Sequence, residues 1–333
     1  VTFAGTARGI ESRVIPTEGF ELDLLRSAGL KGAGAAALAR GFALLPLSGL
    51  DAWQIISRRA PQVVVGVGGY SSGPVVLAAA LRRIPTLLLE QNAVPGVTNR
   101  LLARVVSAAA VTFESTVTYF GRRGFVAGNP VRSEFFNSET GNSETSGGEE
   151  TGRPLRILIF GGSQGAHAIN VAMVEAAPKL ASRGGLAITH QTGERDLEYV
   201  RDGYRRAGLE ARVEPFLYAM DREVKAADLV VCRAGATTIA ELTAAGRPAV
   251  LVPLPTAADD HQRKNADVLA QAGAAELIEQ KTLTGGLLAD RILALAADPA
   301  RRASMVEATR RFARPDAARV IVDRLCALAG HRC

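Results

Sequence analysis

Short apolar runs that end in glycine or polar residues, each followed by a segment with helical periodicity, recur along the whole chain. One run covers residues 155–160 and continues through Gly-Gly-Ser-Gln-Gly-Ala into a segment in which apolar residues recur at helical spacing, namely Ile169, Ala172, Met173 and Ala176. Such runs are short and rich in branched residues, which is typical of buried strands. Repeated strand–turn–helix units predict an α/β fold built on parallel sheets.

The strand–helix units fall into two series. The strand runs of the first series lie at 63–67, 86–90, 108–113 and 124–127, and those of the second include 155–160, 187–190, 229–232 and 249–252. Between the series, residues 137–152 contain no apolar residue. We therefore predict two Rossmann-like domains that face across a cleft. The predicted parts are an N-terminal domain at 1–132, a polar linker at 133–152, a C-terminal domain at 153–315, and a C-terminal helix at 316–333 that packs on the first domain.

Composition narrows the class of protein. The 333 residues are 47% hydrophobic, with a net charge of +6 and a pI near 9.5. An excess of basic residues is typical of proteins that bind nucleic acid, an anionic membrane surface or a phosphorylated substrate. The arginines are spread out and aromatic residues are scarce, which disfavours nucleic acid. Three cysteines are too few for a disulfide framework or a zinc site and fit a reducing cytoplasm. We expect neither a signal peptide nor a membrane-spanning segment.

The glycine-rich loop at 161–166 is a candidate anion site. It joins a predicted strand to a predicted helix, a layout that directs a helix N-terminus and backbone N–H groups at a phosphate. Its spacing is neither that of a dinucleotide-binding loop nor that of a Walker loop. The alternative is a tight turn without a ligand.

Two further polar segments follow predicted strands of the second series. In residues 232–241, small residues leave room for a ring or sugar at a helix start, and Glu241 could accept both hydroxyls of a ribose; the alternative is a solvent-facing helix glutamate. In residues 253–266, amides and a histidine suit sugar hydroxyls. The alternative for that segment is a helix cap made by Asp259 or Asp260.

The first series ends in Gly-Asn-Pro-Val-Arg, and Arg132 could neutralise a pyrophosphate or be a surface arginine on a turn. No acidic or histidine cluster suited to a metal follows a strand, so we expect neither a metal nor a cofactor. The apolar stretch at 30–50 could be a membrane-surface helix or an ordinary core helix. Its candidate membrane-contacting residues are Leu38, Phe42 and Leu45, with Lys31 and Arg40 as basic flanks.

Taken in order, these motifs resemble those of the MurG family, the bacterial GT-B transferases that move N-acetylglucosamine onto lipid I in peptidoglycan synthesis. The resemblance covers nearly the whole chain and rests on the combination of motifs. The motifs are Gly-Gly-Tyr at 68–70 with Gly-Pro at 73–74, Glu-Gln-Asn at 90–92, Gly-Asn-Pro-Val-Arg at 128–132, the loop at 161–166, residues 233–241, Asp-His-Gln at 260–262 and Asn-Ala at 265–266.

The resemblance implies an inverting transferase that takes UDP-N-acetylglucosamine as donor and undecaprenyl-linked lipid I as acceptor, with no nucleic acid among its partners. It implies peripheral attachment to the anionic cytoplasmic face of the bacterial membrane through the first domain. The implied donor site comprises Arg132, Ser163, Gln164, Gly165, Ala236, Thr237, Glu241, His261 and Gln262. The implied acceptor side comprises Gly69, Tyr70, Glu90 and Asn92, with Glu90 and Asn92 as candidates for the catalytic residue.

One family element has no counterpart. The family opens with a strand and a Gly-Gly-Thr-Gly-Gly-His loop whose histidine is a candidate base, whereas residues 1–11 match the family's second strand and the segment after it. The four histidines, His167, His190, His261 and His331, all lie elsewhere. We therefore expect a chain that is shortened at its N-terminus or has lost activity. The alternatives to the family's reaction are another GT-B transferase with a lipid acceptor, and a non-catalytic scaffold that binds a UDP-sugar or a lipid.

Overall fold

The computed structural model describes residues 1–7, 9–26, 35–136, 153–162 and 164–331, with side chains from residue 46 onward in the helix that begins at residue 35. The chain forms two compact units. The first contains Val1–Gly128 and the described part of Asp316–Cys333, and the second contains Asn129–Pro315. The polar segment at 137–152 lies outside the described residues.

The first unit contains parallel strands in two sheets. Its strands are β1 (Thr2–Gly5), β2 (Glu21–Leu24), β3 (Val64–Gly66), β4 (Thr86–Glu90), β5 (Ala108–Val111) and β6 (Gly124–Val126). Its helices are α1 (Glu11–Thr17), α2 (Ala35–Arg59), α3 (Gly69–Leu81), α4 (Val97–Leu102), α5 (Glu114–Val117) and α13 (Ala317–Ala329), with a 3-10 turn at Gly121–Arg123. Strands β1 and β2 form one parallel pair, and β3-β4-β5-β6 form a four-stranded parallel sheet.

Apolar runs explain this sheet. All four residues of β5 are buried, and Leu87 and Leu88 of β4 are fully buried. A parallel sheet with both faces covered needs such continuous apolar strands. Helix α13 contributes to one of these cores, because Ile321 packs with Leu87 and Ala108, and the Arg324 guanidinium lies 5.9 Å from the centre of the Phe125 ring.

The second unit is a six-stranded parallel sheet with the strand order β12-β11-β10-β7-β8-β9. Its strands are β7 (Leu155–Phe160), β8 (Leu186–Gln191), β9 (Ala211–Glu214), β10 (Leu229–Cys232), β11 (Ala249–Leu251) and β12 (Ala275–Leu277). Its helices are α6 (His167–Arg183), α7 (Leu197–Ala207), α8 (Met220–Ala226), α9 (Ala236–Ala245), α10 (His261–Gln271), α11 (Gly285–Ala297) and α12 (Pro299–Arg310). Short 3-10 turns lie at Ser133–Phe135, Glu194–Asp196, Ala258–Asp260 and Gln280–Thr282.

The order of these strands places β7 in the interior of the sheet. Strand β7 pairs with β10 on one side and β8 on the other, and helix α6 follows it. The α6 residues with helical spacing in the sequence, Ile169, Ala172, Met173 and Ala176, are all buried, as their periodicity predicts. Because neighbouring parallel strands end at the same edge, the loops after β7, β8, β10 and β11 share one edge of the sheet.

Each predicted strand overlaps a strand of the structure, with ends that differ by at most two residues. Strands β4, β7 and β10 have the bounds of their apolar runs. The run at 63–67 gives a strand of only three residues, and most of the glycine-rich segment after it is helical. Helix α3 begins at Gly69, so most of that segment forms its first turns. None of the described helices is long and apolar enough to cross a membrane.

Candidate functional site

Two glycines allow the tight turn in the loop after β7. Gly162 and Gly165 have positive φ angles of 93° and 74°, and the Gly165 N–H donates to the Gly162 carbonyl over 2.9 Å, which closes a tight turn. Glycine adopts such angles without the penalty of a side chain. Gln164 is exposed within this turn, whereas Ser163 lies outside the described residues.

This loop packs against the end of β8. The Gln191 amide donates to the Gly162 carbonyl over 3.0 Å. A β-carbon on Gly165 would overlap the Thr192 carbonyl oxygen, and one on Gly193 would overlap the main chain of Gln164. The end of β8 therefore defines the shape of the glycine loop. Sequence reasoning assigned no role to Gln191 or Thr192, although the polar run directly after an apolar strand was the signal for one.

Helix α6 begins at the end of the glycine loop. Its N-cap residue is Ala166, which has no side chain that could accept a hydrogen bond from the helix. The first N–H groups of a helix have no partner within the helix and carry a partial positive charge. The loop and this 17-residue helix therefore present backbone donors to an anion at the edge of the sheet.

Glu241 lies on α9, which follows the neighbouring strand β10. Its carboxylate is partly buried, which disfavours the alternative of a solvent-facing glutamate. Burial raises the pKa of Glu241, and the positive charge of Arg132 opposes that rise. Among the described residues, no hydrogen bond or ion pair involves this carboxylate. A partly buried carboxylate of this kind favours ligands that donate hydrogen bonds.

Arg132 belongs to the same unit. Its side chain is exposed, and its guanidinium lies 5.4 Å from the centre of the Phe135 ring, in the turn that follows. The positive charge of Arg132 acts on the Glu241 carboxyl group by lowering its pKa. This arrangement leaves a cation near the carboxylate without neutralising it in an ion pair.

The start of α9 carries small residues. Ala236 and Thr237 are its first two residues, and Thr237 is exposed. Arg233, just before them, donates through Nη1 to the carbonyls of Val252 and Pro253 over 3.0 and 3.2 Å. Burial lowers the pKa of Arg233. Arg233 therefore ties the loop after β10 to the loop after β11.

Gln262 on α10 joins the same two loops. Its Oε1 accepts from the N–H groups of Ala234 and Leu254 over 3.3 and 3.0 Å. Buried Asn265 donates to the Ala234 carbonyl over 3.3 Å. The carbonyl end of Gln262 is thus used within the protein, and its amide NH₂ is the end that can donate to a ligand.

His261 precedes Gln262 at the start of α10. Its Nδ1 lies 2.5 Å from the Ala258 carbonyl, so Nδ1 carries the proton and Nε2 is the acceptor of the neutral ring. The predicted aspartate cap is wrong. Asp259 and Asp260 have left-handed backbone angles, φ 54° and 56°, and no side chain caps the helix. Consecutive non-glycine residues in this region are strained, and such strain is concentrated at functional sites.

In the first unit, Glu90 ends β4 as a buried carboxylate with four donors. It accepts from the N–H groups of Asn92 and Gly96 over 3.0 and 3.1 Å, and from the side-chain amides of Asn92 and Asn99 over 3.2 and 2.9 Å. These bonds fold the loop between β4 and α4. The geometry fits a residue that holds this loop.

The neighbouring strand β3 leads into Gly69 and Tyr70. Gly68 and Gly69 have φ angles of 91° and 80°, and the Tyr70 side chain is 43% exposed. Strands β3 and β4 are adjacent, so Gly69, Tyr70, Glu90 and Asn92 share one edge of this sheet. The described residues contain no group of three or more histidine, cysteine, aspartate or glutamate side chains that could hold a metal.

Only part of the candidate membrane segment lies within the described residues. The side chains of Leu38, Arg40, Phe42 and Leu45 lie outside the described residues, as does Lys31, although α2 runs through 35–59. Farther along α2, Leu50 and Trp53 are about half exposed, and on α3 Leu81 is 70% exposed. The Arg82 guanidinium lies 5.2 Å from the centre of the Trp53 ring, which joins the two helices.

Comparison with known proteins covers both units. Models of the glycosyltransferase family 28 N-terminal and C-terminal domains match residues 1–111 and 156–321. The chain is 49% identical over 325 residues to the UDP-N-acetylglucosamine–N-acetylmuramyl-(pentapeptide) pyrophosphoryl-undecaprenol N-acetylglucosamine transferase of Anaeromyxobacter sp. (strain K), covering 97% of this chain and 83% of that protein. The protein of the same name from Pelobacter propionicus is 45% identical over 343 residues, covering 98% and 90%.

A solved structure gives the same result. The crystal structure of Acinetobacter baumannii MurG superposes with a TM-score of 0.82 at 32% identity, covering 98% of this chain and 90% of that one. The two parallel-sheet units are therefore those of the GT-B fold.

Proposed function

The chain belongs to the MurG family of glycosyltransferases, and we propose that it transfers N-acetylglucosamine from UDP-N-acetylglucosamine to undecaprenyl-pyrophosphoryl-N-acetylmuramyl-pentapeptide, lipid I, to give lipid II. Its relatives, which carry this activity in their names, align over nearly the whole chain. The reaction serves peptidoglycan synthesis, and through it cell-wall growth, cell shape and cell division.

The observation that carries the donor assignment is the partly buried Glu241 carboxylate near an exposed Arg132, one strand away from the glycine loop. A ribose offers two hydroxyl donors, which suit a carboxylate acceptor. A diphosphate suits the backbone donors of the loop and of α6, with Arg132 as countercharge. These groups would complement the ribose and the diphosphate of UDP.

The N-acetylglucosamine of the donor is proposed to lie next to the start of α10, at the same edge of the second unit's sheet. The NH₂ of Gln262 can donate to a hydroxyl oxygen, and Nε2 of His261 can hydrogen-bond to a hydroxyl. Ala236 and Thr237 leave space at the start of α9. We assign these four residues, with Ser163, Gln164 and Gly165 at the diphosphate, to the donor site.

The reaction is a single displacement with inversion. The acceptor hydroxyl oxygen bonds to the anomeric carbon as the bond from that carbon to the β-phosphate oxygen breaks, and the hydroxyl proton passes to a base. The departing UDP gains negative charge, which the start of α6 and Arg132 stabilise. We assign Glu90 to holding its loop and not to proton transfer, since its carboxylate is saturated with donors. Gly69, Tyr70 and Asn92 complete the proposed acceptor side.

Attachment to the cytoplasmic face of the membrane follows from the acceptor, whose polyprenyl chain lies in the bilayer. The exposed apolar side chains of α2 and α3 support a docking surface on the first unit, and the basic composition suits anionic lipid. Apolar insertion provides affinity, and each basic residue near the surface adds about 1 kcal/mol, screened by salt.

Transfer itself is the test. The full-length protein is incubated with UDP-N-acetylglucosamine and a short-chain lipid I analogue, and the product is identified by mass spectrometry. We expect a disaccharide product and one UDP per product, with UDP-glucose as a poor donor. Binding of UDP-N-acetylglucosamine without product would favour a non-catalytic scaffold, and transfer to other lipid acceptors alone would favour a different lipid glycosyltransferase.

A further inference from the structure

A continuous series of hydrogen bonds runs from the core of the second unit to the start of α6. The Tyr204 hydroxyl lies 2.7 Å from Nδ1 of His190, and Nε2 of His190 lies 3.1 Å from Oδ1 of Asn170. The Asn170 amide lies 2.8 Å from Oδ2 of Asp196, and the same Oδ2 lies 2.9 Å from Nδ1 of His167. We call these five residues the polar relay. None of them is needed for the donor contacts assigned above.

The partners of Asn170 fix where each proton lies. Its Nδ2 donates to the Thr192 carbonyl over 2.9 Å as well as to Asp196, so its Oδ1 is an acceptor. Nε2 of His190 must then carry a proton, which leaves Nδ1 to accept from the Tyr204 hydroxyl. All the bonds of the relay from Tyr204 to Asp196 therefore point in the same direction.

Burial enforces this arrangement. His190 is fully buried, and burial lowers its pKa to about 3, so the ring is neutral at physiological pH. Asn170 is 1% exposed. Buried polar groups that lose a partner are costly, so a fully satisfied relay tolerates few other geometries.

The relay reaches the glycine loop through the Thr192 carbonyl. That oxygen accepts from Asn170 and is also the atom against which Gly165 packs. His167 and Asn170 lie in the first turn of α6, directly after the loop. Asn170 therefore fixes both the surface under the loop and the helix that continues it.

We propose that Asn170 and His190 are positioning residues that hold the loop at 161–166 in the shape that binds the donor diphosphate. The proposal rests on the proposed function of this site. They act through Thr192 and the start of α6 and do not touch the ligand. Their loss should weaken recognition of the phosphates and leave recognition of the nucleoside intact.

The test compares UDP with uridine on the full chain, using calorimetry for UDP and ligand-observed NMR for uridine. In Asn170→Leu, which keeps the branching of the side chain at Cγ and removes every side-chain hydrogen bond, we expect UDP affinity to fall tenfold or more while uridine affinity stays within twofold. Equal losses for the two ligands, or unchanged UDP affinity, would overturn the proposal. If the unaltered protein does not bind UDP, the proposed function itself fails.

Two controls separate positioning from general stability. Tyr204→Phe removes only the first hydroxyl of the relay, so it should lower the melting temperature without changing the ratio of UDP to uridine affinity. His190→Gln, whose amide can still donate to Asn170, should retain more UDP affinity than His190→Leu. Independently of any variant, ¹⁵N NMR of the unaltered protein should find the His190 proton on Nε2, and a proton on Nδ1 alone would contradict the relay.

Discussion

Gly165 packs so closely against Thr192 that a β-carbon at Gly165 would overlap the Thr192 carbonyl oxygen. The φ angle of Gly165 is 74°, which disfavours a side chain independently of the overlap. The proposed phosphate-binding loop therefore depends on the absence of a side chain at one position, and on the exact placement of a carbonyl from the neighbouring strand.

Gly165→Ala should accordingly distort the loop. We expect a loss of about 1–3 kcal/mol in the free energy of unfolding, since a non-glycine residue would be forced into a strained conformation. UDP affinity should fall at least tenfold. Urea unfolding and calorimetry measure the two effects. Gly286→Ala in α11 is the matched control, because a β-carbon there meets open space, and it should leave UDP affinity unchanged. A Gly165→Ala variant that binds UDP normally would contradict this role for the loop.

His190 should make stability depend on pH. Its pKa is about 3 in the folded protein against an ordinary value of 6.5. Between these values the unfolded chain binds a proton that the folded protein does not, so stability falls as the pH falls below 6.5, by up to about 1.4 kcal/mol per pH unit. Urea unfolding between pH 7.5 and pH 5 should show this slope, and His190→Gln should reduce it. The exposed His331→Gln control should keep it; equal slopes in all three proteins would count against a neutral, buried His190.

Glu90→Gln separates a positioning role from a catalytic one. In the variant, an NH₂ group replaces one carboxylate oxygen and faces N–H donors that had bonded to that oxygen. Because these donors lose their acceptor, we expect a loss of about 2–4 kcal/mol in unfolding free energy. Thermal unfolding measures it, with the exposed Glu18→Gln as control. A variant of unchanged stability that had lost transfer activity would instead identify Glu90 as the base.

The sequence predicted the sheets better than the contacts of the site. Continuous apolar runs such as 155–160 specify buried strands because both faces of a parallel sheet are covered. His190 and Gln191 end β8 and Thr192 follows it. This polar run was a weaker signal, since its role depends on the carbonyl of Thr192 meeting Gly165, a contact between the ends of two neighbouring strands. Gln262 was identified as a candidate, but sequence could not reveal that its carbonyl end binds Ala234 and Leu254.

The sequence also did not predict the strained backbone at Asp259 and Asp260. Aspartate before a helix usually caps it, so Asp259 and Asp260 suggested a cap. Both residues have left-handed angles in the turn that leads into α10, where the Asp259 carbonyl accepts from Lys264 Nζ over 3.0 Å. The conformation of this turn therefore differs from the cap that the residue types alone favour.

Vesicle binding tests whether the apolar segment at 30–50 contacts the membrane. Phe42→Asp should reduce sedimentation with anionic vesicles several-fold, because it places a charge in the apolar surface that we propose to insert. High salt should weaken binding further by screening the basic flanks. Tyr218→Asp is the control, since Tyr218 is 92% exposed in the second unit. A folded Phe42→Asp variant that binds vesicles normally would place the docking surface elsewhere.

We propose that the strand ends of the second unit bind UDP through Glu241. Calorimetry of UDP with Glu241→Gln tests this contact, because the substitution keeps the shape of the side chain and removes its charge. Glu307→Gln, an exposed glutamate of the same unit, is the control. We predict measurable UDP binding by the unaltered chain and by the control, and a loss of about 1–3 kcal/mol in Glu241→Gln, as expected for hydrogen bonds to a charged acceptor. Equal UDP affinity in all three proteins would contradict the assignment of Glu241 to the donor site.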